Sequence, residues 1–261
     1  MLLAHVSDLH IGRDAATDRA ARLLAAALED AGAATTLVTG DVTHRGRLSE
    51  LSRFEAIFRR LLDAGRLIVV PGNHDRLSED AARALMPGVR VDVVSRPGLH
   101  VVRLDSTGPH NRSLLRAHGL LTEPDLDAVD AGLAVAPEGS LAVLIVHHHL
   151  LPLRADFIGE RLSNLLGWPN AAELRLGGRL LERIRGRCDL VLHGHRHTPS
   201  ELVLDAASSR PLRVMNAGCT TELGRFRLLA ARNGRLSSDV WLELEGGAAT
   251  LPAALTGRVA A

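Results

Sequence analysis

The chain carries the sequence LIVVPGNHD at residues 67–75. An apolar run ends at a Pro-Gly turn, and an amide, an imidazole and a carboxylate follow immediately as Asn73, His74 and Asp75. A short apolar run bounded by turn residues is typical of a buried strand. In open sheets covered by helices, ligands bind beyond the carboxyl ends of the strands. The stretch therefore predicts a layered α/β fold and places a candidate site at one edge of its sheet.

The same arrangement recurs along the chain. Polar residues follow directly on four more predicted strands, at residues 2–6, 35–39, 141–146 and 190–192. These polar groups are Asp8-Leu9-His10, Gly40-Asp41, His147-His148-His149 and Gly194-His195-Arg196-His197. Any one of them alone would be an ordinary turn or cap. Because parallel strands share one carboxyl edge, we expect all the clusters to converge on a single site.

Amphipathic stretches separate these strands and predict covering helices. Thr17 is expected to cap a helix with Leu23, Leu24 and Leu28 on one face, and Ser49 to open the next. Further helices are predicted from Thr122-x-x-Asp125 and from Asn170-x-x-Glu173, each a possible capping box.

After residue 198, short apolar runs separated by turn signals predict a series of strands. We interpret these strands as a second, more antiparallel sheet. Residues 1–245 are predicted to form a single domain. The Gly- and Ala-rich tail, residues 246–261, is assigned no role.

Composition excludes several functional classes. The formal net charge of +1 argues against nucleic acid as a partner. Cys188 and Cys219 stand far apart, which fits neither a disulfide framework nor a zinc knuckle. No apolar run approaches the roughly 20 residues of a membrane helix. We expect a cytoplasmic protein, and a homo-oligomer is compatible with the sequence.

The converging side chains are those of a pair of divalent metal ions. Carboxylates and amide oxygens suit manganese or iron, and imidazoles suit iron or zinc. Asp8 and His10 stand two apart, so an extended segment would point both to the same side, and His195 and His197 repeat this spacing. A metal pair roughly 3.5 to 4 Å apart shares a ligand and lowers the pKa of a bridging water. Phosphoester hydrolysis is the reaction that such a centre suits.

Taken in order, the clusters resemble the motif set of the calcineurin-like metallophosphoesterases over residues 2 to about 198. The resemblance implies a four-layer αββα sandwich with two central mixed β-sheets. It implies that one metal is held by Asp8, His10, Asp41 and His197, and the other by Asp41, Asn73, His147 and His195, with Asp41 bridging. His74 resembles the family's non-ligand histidine, which protonates the leaving group or stabilises phosphoryl charge. Asp75 would orient His74 or its loop.

Within this superfamily the motif style is similar to the class III cyclic nucleotide phosphodiesterases. The features in common are Ser7-Asp8-Leu9-His10, Leu104-Asp105-Ser106, Gly119-x-Leu121 and the triple histidine at 147–149. This implies hydrolysis of a small-molecule or cyclic nucleotide phosphodiester by in-line attack of a metal-bridging hydroxide. His44 stands where the protein serine/threonine phosphatases carry an aspartate, which counts against that branch.

Three alternatives stay open: a nuclease, a lipid-precursor pyrophosphatase with residues 154–168 as a membrane-facing insertion, and a non-catalytic metal-bound scaffold. Arg13 is a candidate phosphate contact. Asp105-Ser106-Thr107 is interpreted as a polar turn, and His193 as a packing histidine. His148 and His149 either touch substrate or fill space. Loops 107–120 and 152–168 are expected to set substrate choice.

Overall fold

The computed structural model describes residues 1–113, 115–151 and 174–244. Its strands are β1 (Leu2–Val6), β2 (Thr35–Thr39), β3 (Leu67–Val70), β4 (Val91–Arg96), β5 (Leu99–Leu104), β6 (Leu141–Val146), β7 (Leu190–His193), β8 (Ser200–Leu204), β9 (Leu212–Asn216), β10 (Arg225–Arg232) and β11 (Arg235–Glu243). Its helices are α1 (Ala15–Asp30), α2 (Leu48–Ile57), α3 (Arg59–Asp63), α4 (Ala82–Leu85), α5 (Glu123–Ala134), α6 (Gly177–Ile184) and α7 (Thr220–Leu223). Two short 3-10 helices span His74–Arg76 and Pro109–Arg112.

The strands form two mixed sheets, as predicted. The first has the order β11-β10-β1-β2-β3, and the second has the order β4-β5-β6-β7-β9-β8. Strands β1, β2 and β3 are parallel to one another, and so are β5, β6, β7 and β9. Antiparallel strands complete both sheets, namely β10 and β11 in the first and β4 and β8 in the second.

The expectation that the strands after residue 198 form a sheet of their own is wrong. β8 and β9 extend the second sheet, whereas β10 and β11 extend the first. β10 pairs antiparallel with β1, with Leu3 opposite Leu229. Apolar alternation shows that these segments are strands, but it does not show which sheet each one joins.

Strand β6 shows how the layers are held together. Its six residues are all fully buried. Leu141, Val143 and Ile145 pack in the core between the two sheets, and the alternate residues Ala142, Leu144 and Val146 pack in the core beneath α5 and α6. A third core lies between the first sheet and helices α1 to α3. Three cores between four layers are what the predicted αββα sandwich requires.

Local predictions were partly wrong at the ends of elements. Asp14, not Thr17, caps α1, because the Asp14 carboxylate accepts the Thr17 backbone N–H at 2.7 Å. Leu24 and Leu28 are buried one turn apart, but Leu23 is rotated off that face and is 36% exposed. Helix α2 begins at Leu48, one residue before the predicted start. The half-buried edge strand β4 was not predicted.

Several predictions fall outside the described residues. They concern the Asn170-x-x-Glu173 capping box, the 154–168 insertion and the 246–261 tail. Within residues 1–113, 115–151 and 174–244, no helix is long and apolar enough to cross a membrane.

Candidate metal centre

The five polar clusters lie together at the carboxyl ends of β1, β2, β3, β6 and β7. Backbone hydrogen bonds join their loops in pairs: the Asp8 N–H donates to the Gly40 carbonyl at 3.0 Å, and the Gly194 N–H donates to the His147 carbonyl at 3.0 Å. The first three loops leave one sheet and the other two leave the second sheet. The centre therefore spans the seam between the two sheets.

One group of side chains gathers around Asp8. The Nε2 atoms of His10 and His197 are 3.1 Å apart. His197 Nε2 is 3.5 Å from Asp8 Oδ1, and His10 Nε2 is 3.9 Å from Asp41 Oδ2. Asp8 is held in place because both of its carboxylate oxygens accept the backbone N–H of His195. This group contains the four residues expected around one metal.

A second group gathers around Asn73. The Asn73 side-chain oxygen is 3.1 Å from His147 Nε2 and 3.0 Å from His195 Nδ1. His147 Nε2 is also 3.4 Å from Asp41 Oδ2, the oxygen that faces His10. One carboxylate oxygen of Asp41 thus lies between the two groups. The other, Oδ1, accepts the His74 backbone N–H at 2.8 Å.

The chemistry of these donors fits a cation. His147 Nδ1 donates its hydrogen to the Thr39 carbonyl at 2.7 Å, so in the neutral ring Nε2 presents a lone pair toward the Asn73 oxygen. Two lone pairs at 3.1 Å repel each other unless a cation or a proton lies between them. Asp8, His10 and His197 form one close-set group of possible metal ligands, and Asp8, Asp41 and His147 form another.

The backbone at the candidate ligands is left-handed rather than extended. Among the described non-glycine residues, nine have positive φ, and five of these are candidate ligands: Asp8, His10, Asp41, His195 and His197. Asp8 has φ 54° and His10 has φ 45°. The expectation that an extended segment aligns these two residues is therefore wrong, although both side chains do reach the site. Left-handed residues outside glycine cost roughly 1–2 kcal/mol each and concentrate at functional sites.

Two glycines allow this close packing. A Cβ atom at Gly72 would lie 2.1 Å from Asp41 Oδ1 and 2.3 Å from the Asp41 backbone nitrogen. A Cβ atom at Gly194 would lie 1.8 Å from Ser7 Oγ and 2.4 Å from Asp8 Oδ2. Any side chain at either position would displace a candidate ligand.

The family model of the calcineurin-like phosphoesterases matches residues 1–199. The chain belongs to the calcineurin-like phosphoesterase family. Solved structures share its fold at low identity. A dimetal phosphatase from Danio rerio superposes with a TM-score of 0.63 at 13% identity, covering 94% of this chain and 99% of that one. The purple acid phosphatase PPD1 from yellow lupin gives 0.65 at 13% identity, covering 95% of this chain and 52% of the lupin chain.

The fold also occurs in a protein described as an anchor. GAP50, the anchor in the inner membrane complex of Plasmodium, superposes with a TM-score of 0.56 at 10% identity, covering 96% of this chain and 86% of GAP50. A search of curated proteins found no match to this chain. At these identities the structural neighbours establish the fold alone.

In this member of the family, His74 lies beside the two groups without joining them. Its Nδ1 donates to the His44 carbonyl at 2.8 Å, which leaves Nε2 as the free ring nitrogen. The His74 ring lies 4.6 Å from the His10 ring, centroid to centroid. His10, His44 and His74 bring ring nitrogens close to one another. The sequence analysis identifies His44 only by the aspartate that it replaces, and no sequence signal places its ring beside His10 and His74.

Asp75 holds two loops of the site together. Its fully buried carboxylate accepts hydrogen bonds from the Gly72 N–H at 2.8 Å, the Val42 N–H at 3.2 Å and the Thr43 N–H at 2.8 Å. Burial and the nearby Asp41 carboxylate raise the pKa of Asp75 to about 6. None of its hydrogen bonds reaches the His74 ring. Of its two expected tasks, the contacts correspond to orienting the loop.

Two of the candidate ligands hold a proton firmly in the metal-free protein. Burial opposes the charge on His147, but the Asp41 carboxylate outweighs it and raises the His147 pKa to about 9. Burial likewise opposes the charge on His197, and the hydrogen bond to Asp8 raises its pKa to about 9. Burial also works against the Asp41 carboxylate, yet the charge of His147 keeps the Asp41 pKa well below its usual value. A proton thus occupies the place that suits a cation.

The His148 ring lies against the second group, 4.7 Å from the His195 ring between centroids, but both of its nitrogens have other hydrogen-bond partners. Its Nε2 lies 2.9 Å from the Ala117 carbonyl and its Nδ1 lies 2.8 Å from Ser106 Oγ. Burial lowers the His148 pKa well below its usual value, so the ring is neutral, with Nε2–H donating and Nδ1 accepting. His148 therefore links Ser106 and Ala117 by hydrogen bonds and holds both residues beside the centre. His149 stacks on the His195 ring with centroids 5.7 Å apart.

The remaining sequence candidates have structural partners. Asp105 accepts the Thr107 N–H at 2.9 Å, so the predicted polar turn is present. His193 is buried beside Asn216. Arg13 pairs with Glu222 and Asp14 instead of being left open for a phosphate.

Glu222 was missed by the sequence analysis. Its carboxylate lies 3.5 Å from His197 Nδ1, on the side of the ring away from Asp8. The residue falls after the last motif, beyond the matched residues 1–199, where no pattern marked it.

Proposed function

We propose that this chain hydrolyses phosphoesters with two divalent metal ions. One ion would be held by Asp8, His10, Asp41 and His197, and the other by Asp41, Asn73, His147 and His195. The observation that carries the proposal is the position of Asp41 Oδ2, 3.9 Å from His10 Nε2 and 3.4 Å from His147 Nε2, between the two groups. Bound metal ions would supply Lewis-acid stabilisation of the phosphoryl charge and a water of lowered pKa.

The side chain of His74 supplies the acid. Because its Nδ1 is committed to the His44 carbonyl, its Nε2 is the nitrogen available to substrate. There it would donate a proton to the leaving oxygen or stabilise charge on the phosphoryl oxygens. Asp75 acts on the same step as a positioning residue, because its carboxylate joins the loop of Asp41 to the loop of His74.

We propose a small-molecule phosphodiester, in particular a cyclic nucleotide, as the substrate. Support comes from the motif style around Ser7–His10 and from the 106–117 segment, which Ser106 and His148 fix beside the centre. Manganese, iron and zinc are the metals that suit this mixed set of nitrogen and oxygen donors. We also propose a cytoplasmic location, since Cys188 and Cys219 are free and buried, as thiols are in a reducing compartment.

The test is a paired hydrolysis and metal-binding assay. Protein purified without chelator and loaded with manganese is assayed on bis(p-nitrophenyl) phosphate beside p-nitrophenyl phosphate. Asp41→Asn should lose manganese and activity together. His74→Gln should keep manganese and lose about 10²- to 10⁴-fold in kcat. Asp63→Asn, which changes a carboxylate 66% exposed on α3, is the matched control and should match wild type.

Each outcome bears on the proposal. Diester hydrolysis lost in both site variants and kept in the control supports it. Absence of hydrolysis by manganese-loaded wild type would overturn it and favour the scaffold alternative.

A further inference from the structure

A second concave site is lined in part by Arg76, the last residue of the 3-10 helix that carries His74. This arginine cavity has a volume of about 590 Å³ and is lined by Arg76, Asp80, Arg83, Arg90, Thr107 and Arg112, among others. An adjoining cavity of about 500 Å³ shares Arg76, Arg83 and Arg90. Small-molecule sites typically have about 300–1,000 Å³. None of the candidate metal ligands lines either cavity.

Two of the arginines form a fixed wall. Arg76 donates to Thr107 Oγ1 at 2.7 Å and to Asp80 at 2.9 Å, and it also pairs with Asp105. Arg90 donates to Asp125 at 2.9 Å, and its two terminal nitrogens donate to the backbone carbonyls of residues 107 and 120. Each of the three nitrogens in both guanidinium groups already donates a hydrogen bond, so the two groups are held in place and set the shape and the positive potential of the cavity.

The other two arginines share one carboxylate. Asp80 is 7% exposed, and its Oδ2 lies 2.9 Å from Arg83 Nε and 3.3 Å from Arg112 Nη2, while its Oδ1 already accepts from Arg76. Once Arg76 is matched with Asp105 and Arg90 with Asp125, two guanidinium groups remain for one negative charge. The cavity therefore keeps a positive excess.

Arg83 and Arg112 are also free to turn toward a ligand. Their side chains are 75% and 60% exposed. Each uses one edge of its guanidinium on Asp80, and within the described part of the chain their other N–H groups have no protein acceptor. They project from different elements, α4 and the 3-10 helix Pro109–Arg112, toward the same space.

We propose that the arginine cavity binds a phosphate-bearing small anion at a site separate from the metal centre. Guanidinium groups pair with phosphate oxygens in bidentate fashion, and two of them from different directions match a tetrahedral group better than a planar carboxylate. The negative charge of such a ligand offsets the positive excess that Asp80 leaves. The shared chemistry is a phosphate or diphosphate group, carried by a soluble molecule.

Isothermal titration of chelator-treated protein with inorganic pyrophosphate tests the site without the metal centre. Wild type should bind saturably, with an affinity that falls as salt rises. Arg83→Gln/Arg112→Gln should bind at least tenfold more weakly. Arg59→Gln, which changes an arginine 60% exposed on α3, is the matched control and should bind like wild type. If the double variant does not fold, Arg112→Gln alone replaces it and should weaken binding severalfold.

The outcomes separate this site from the metal centre. Pyrophosphate binding that is lost in the double variant, while its manganese affinity stays at the wild-type level, establishes the cavity as a distinct site. Equal binding by wild type and the double variant, or no saturable binding by wild type, overturns the proposal. Co-sedimentation with phosphatidate vesicles that depends on Arg83 and Arg112, without binding of soluble pyrophosphate, would overturn the assignment to a soluble ligand.

Discussion

Substituting Gly72 by alanine should disable the metal centre without removing a ligand. The new Cβ atom would lie 2.1 Å from Asp41 Oδ1 and 2.3 Å from the Asp41 backbone nitrogen. Relief requires Asp41 and its loop to move by about 1 Å, since ordinary contact begins near 3.4 Å. The loop of Asp41 is also tied to Gly72 through Asp75, so the strain cannot be absorbed by one flexible side chain.

The expected size follows from that displacement. Inserting a methyl group into packed surroundings costs about 1–3 kcal/mol of stability. A misplacement of about 1 Å at a catalytic group costs on the order of 10²-fold in rate. Because Asp41 is proposed to serve both metals, we expect weaker manganese binding together with a loss of about 10²-fold in kcat/KM.

The assay compares Gly72→Ala with Gly178→Ala. Gly178 lies in α6, and a Cβ atom there would have no neighbour within 4 Å, so this control should stabilise the fold by about 0.4–1 kcal/mol and keep full activity. Manganese affinity, kcat/KM on bis(p-nitrophenyl) phosphate and the urea midpoint are measured for both. Wild-type affinity and turnover in Gly72→Ala would refute the reasoning, because the steric overlap would then have no effect on Asp41.

Four further predictions concern the centre and its surroundings. Binding of metal at pH 7 should release about two protons, because His147 and His197, with pKa values of about 9, must become neutral to bind a cation. Calorimetric titration with metal in buffers of different ionisation enthalpy counts the released protons. Metal binding without proton release would contradict the assignment of these two histidines as ligands. Both pKa values lie above the ordinary 6.5, so the metal-free protein should be most stabilised by these groups below pH 6.5 and lose that stabilisation as the pH rises through about 9, as seen in its melting temperature. Glu222→Gln should weaken manganese binding about 10- to 100-fold by releasing His197 Nδ1, and an unchanged manganese Kd would show that the 3.5 Å contact is unimportant. Ser106→Ala should cost about 1–3 kcal/mol in urea unfolding, since it leaves the buried Nδ1 of His148 without a donor; a cost near zero would mean that this hydrogen bond does not fix the segment.

The sequence predicted those features that short-range physics determines. A strand such as Leu141–Val146 with apolar side chains on both faces needs a sheet that is covered on both faces, and the structure buries all six residues. Thr122 caps α5 with Asp125 in the third helical position, as the capping-box pattern predicts. The shared carboxyl edge of parallel strands accounts for three of the clusters in the first sheet and two in the second, whereas the meeting of the two edges depends on how the sheets pack.

What the sequence did not predict depends on long-range partners. The left-handed backbone of Asp8 and His10 follows from hydrogen bonds to the loop after β2, where the Asp8 N–H donates to the Gly40 carbonyl and the His10 N–H to the Asp41 carbonyl. Spacing along one segment carries no record of such contacts. The approach of Glu222 to His197 likewise depends on where α7 lies, and a four-residue helix has no periodicity to indicate its position.

The place of β1 in its sheet restricts when the centre can form. This strand delivers Asp8 and His10, and it is held between β2 and β10, so its second partner is the segment Arg225–Arg232. During synthesis from the N-terminus, the strand that carries these two candidate ligands therefore cannot be paired on both sides until Arg225–Arg232 has been made. His195 and His197 are also made late. We expect the centre to take up its ions only after Arg225–Arg232 has been made and has paired with β1, so that a shorter nascent chain should not bind metal at this site.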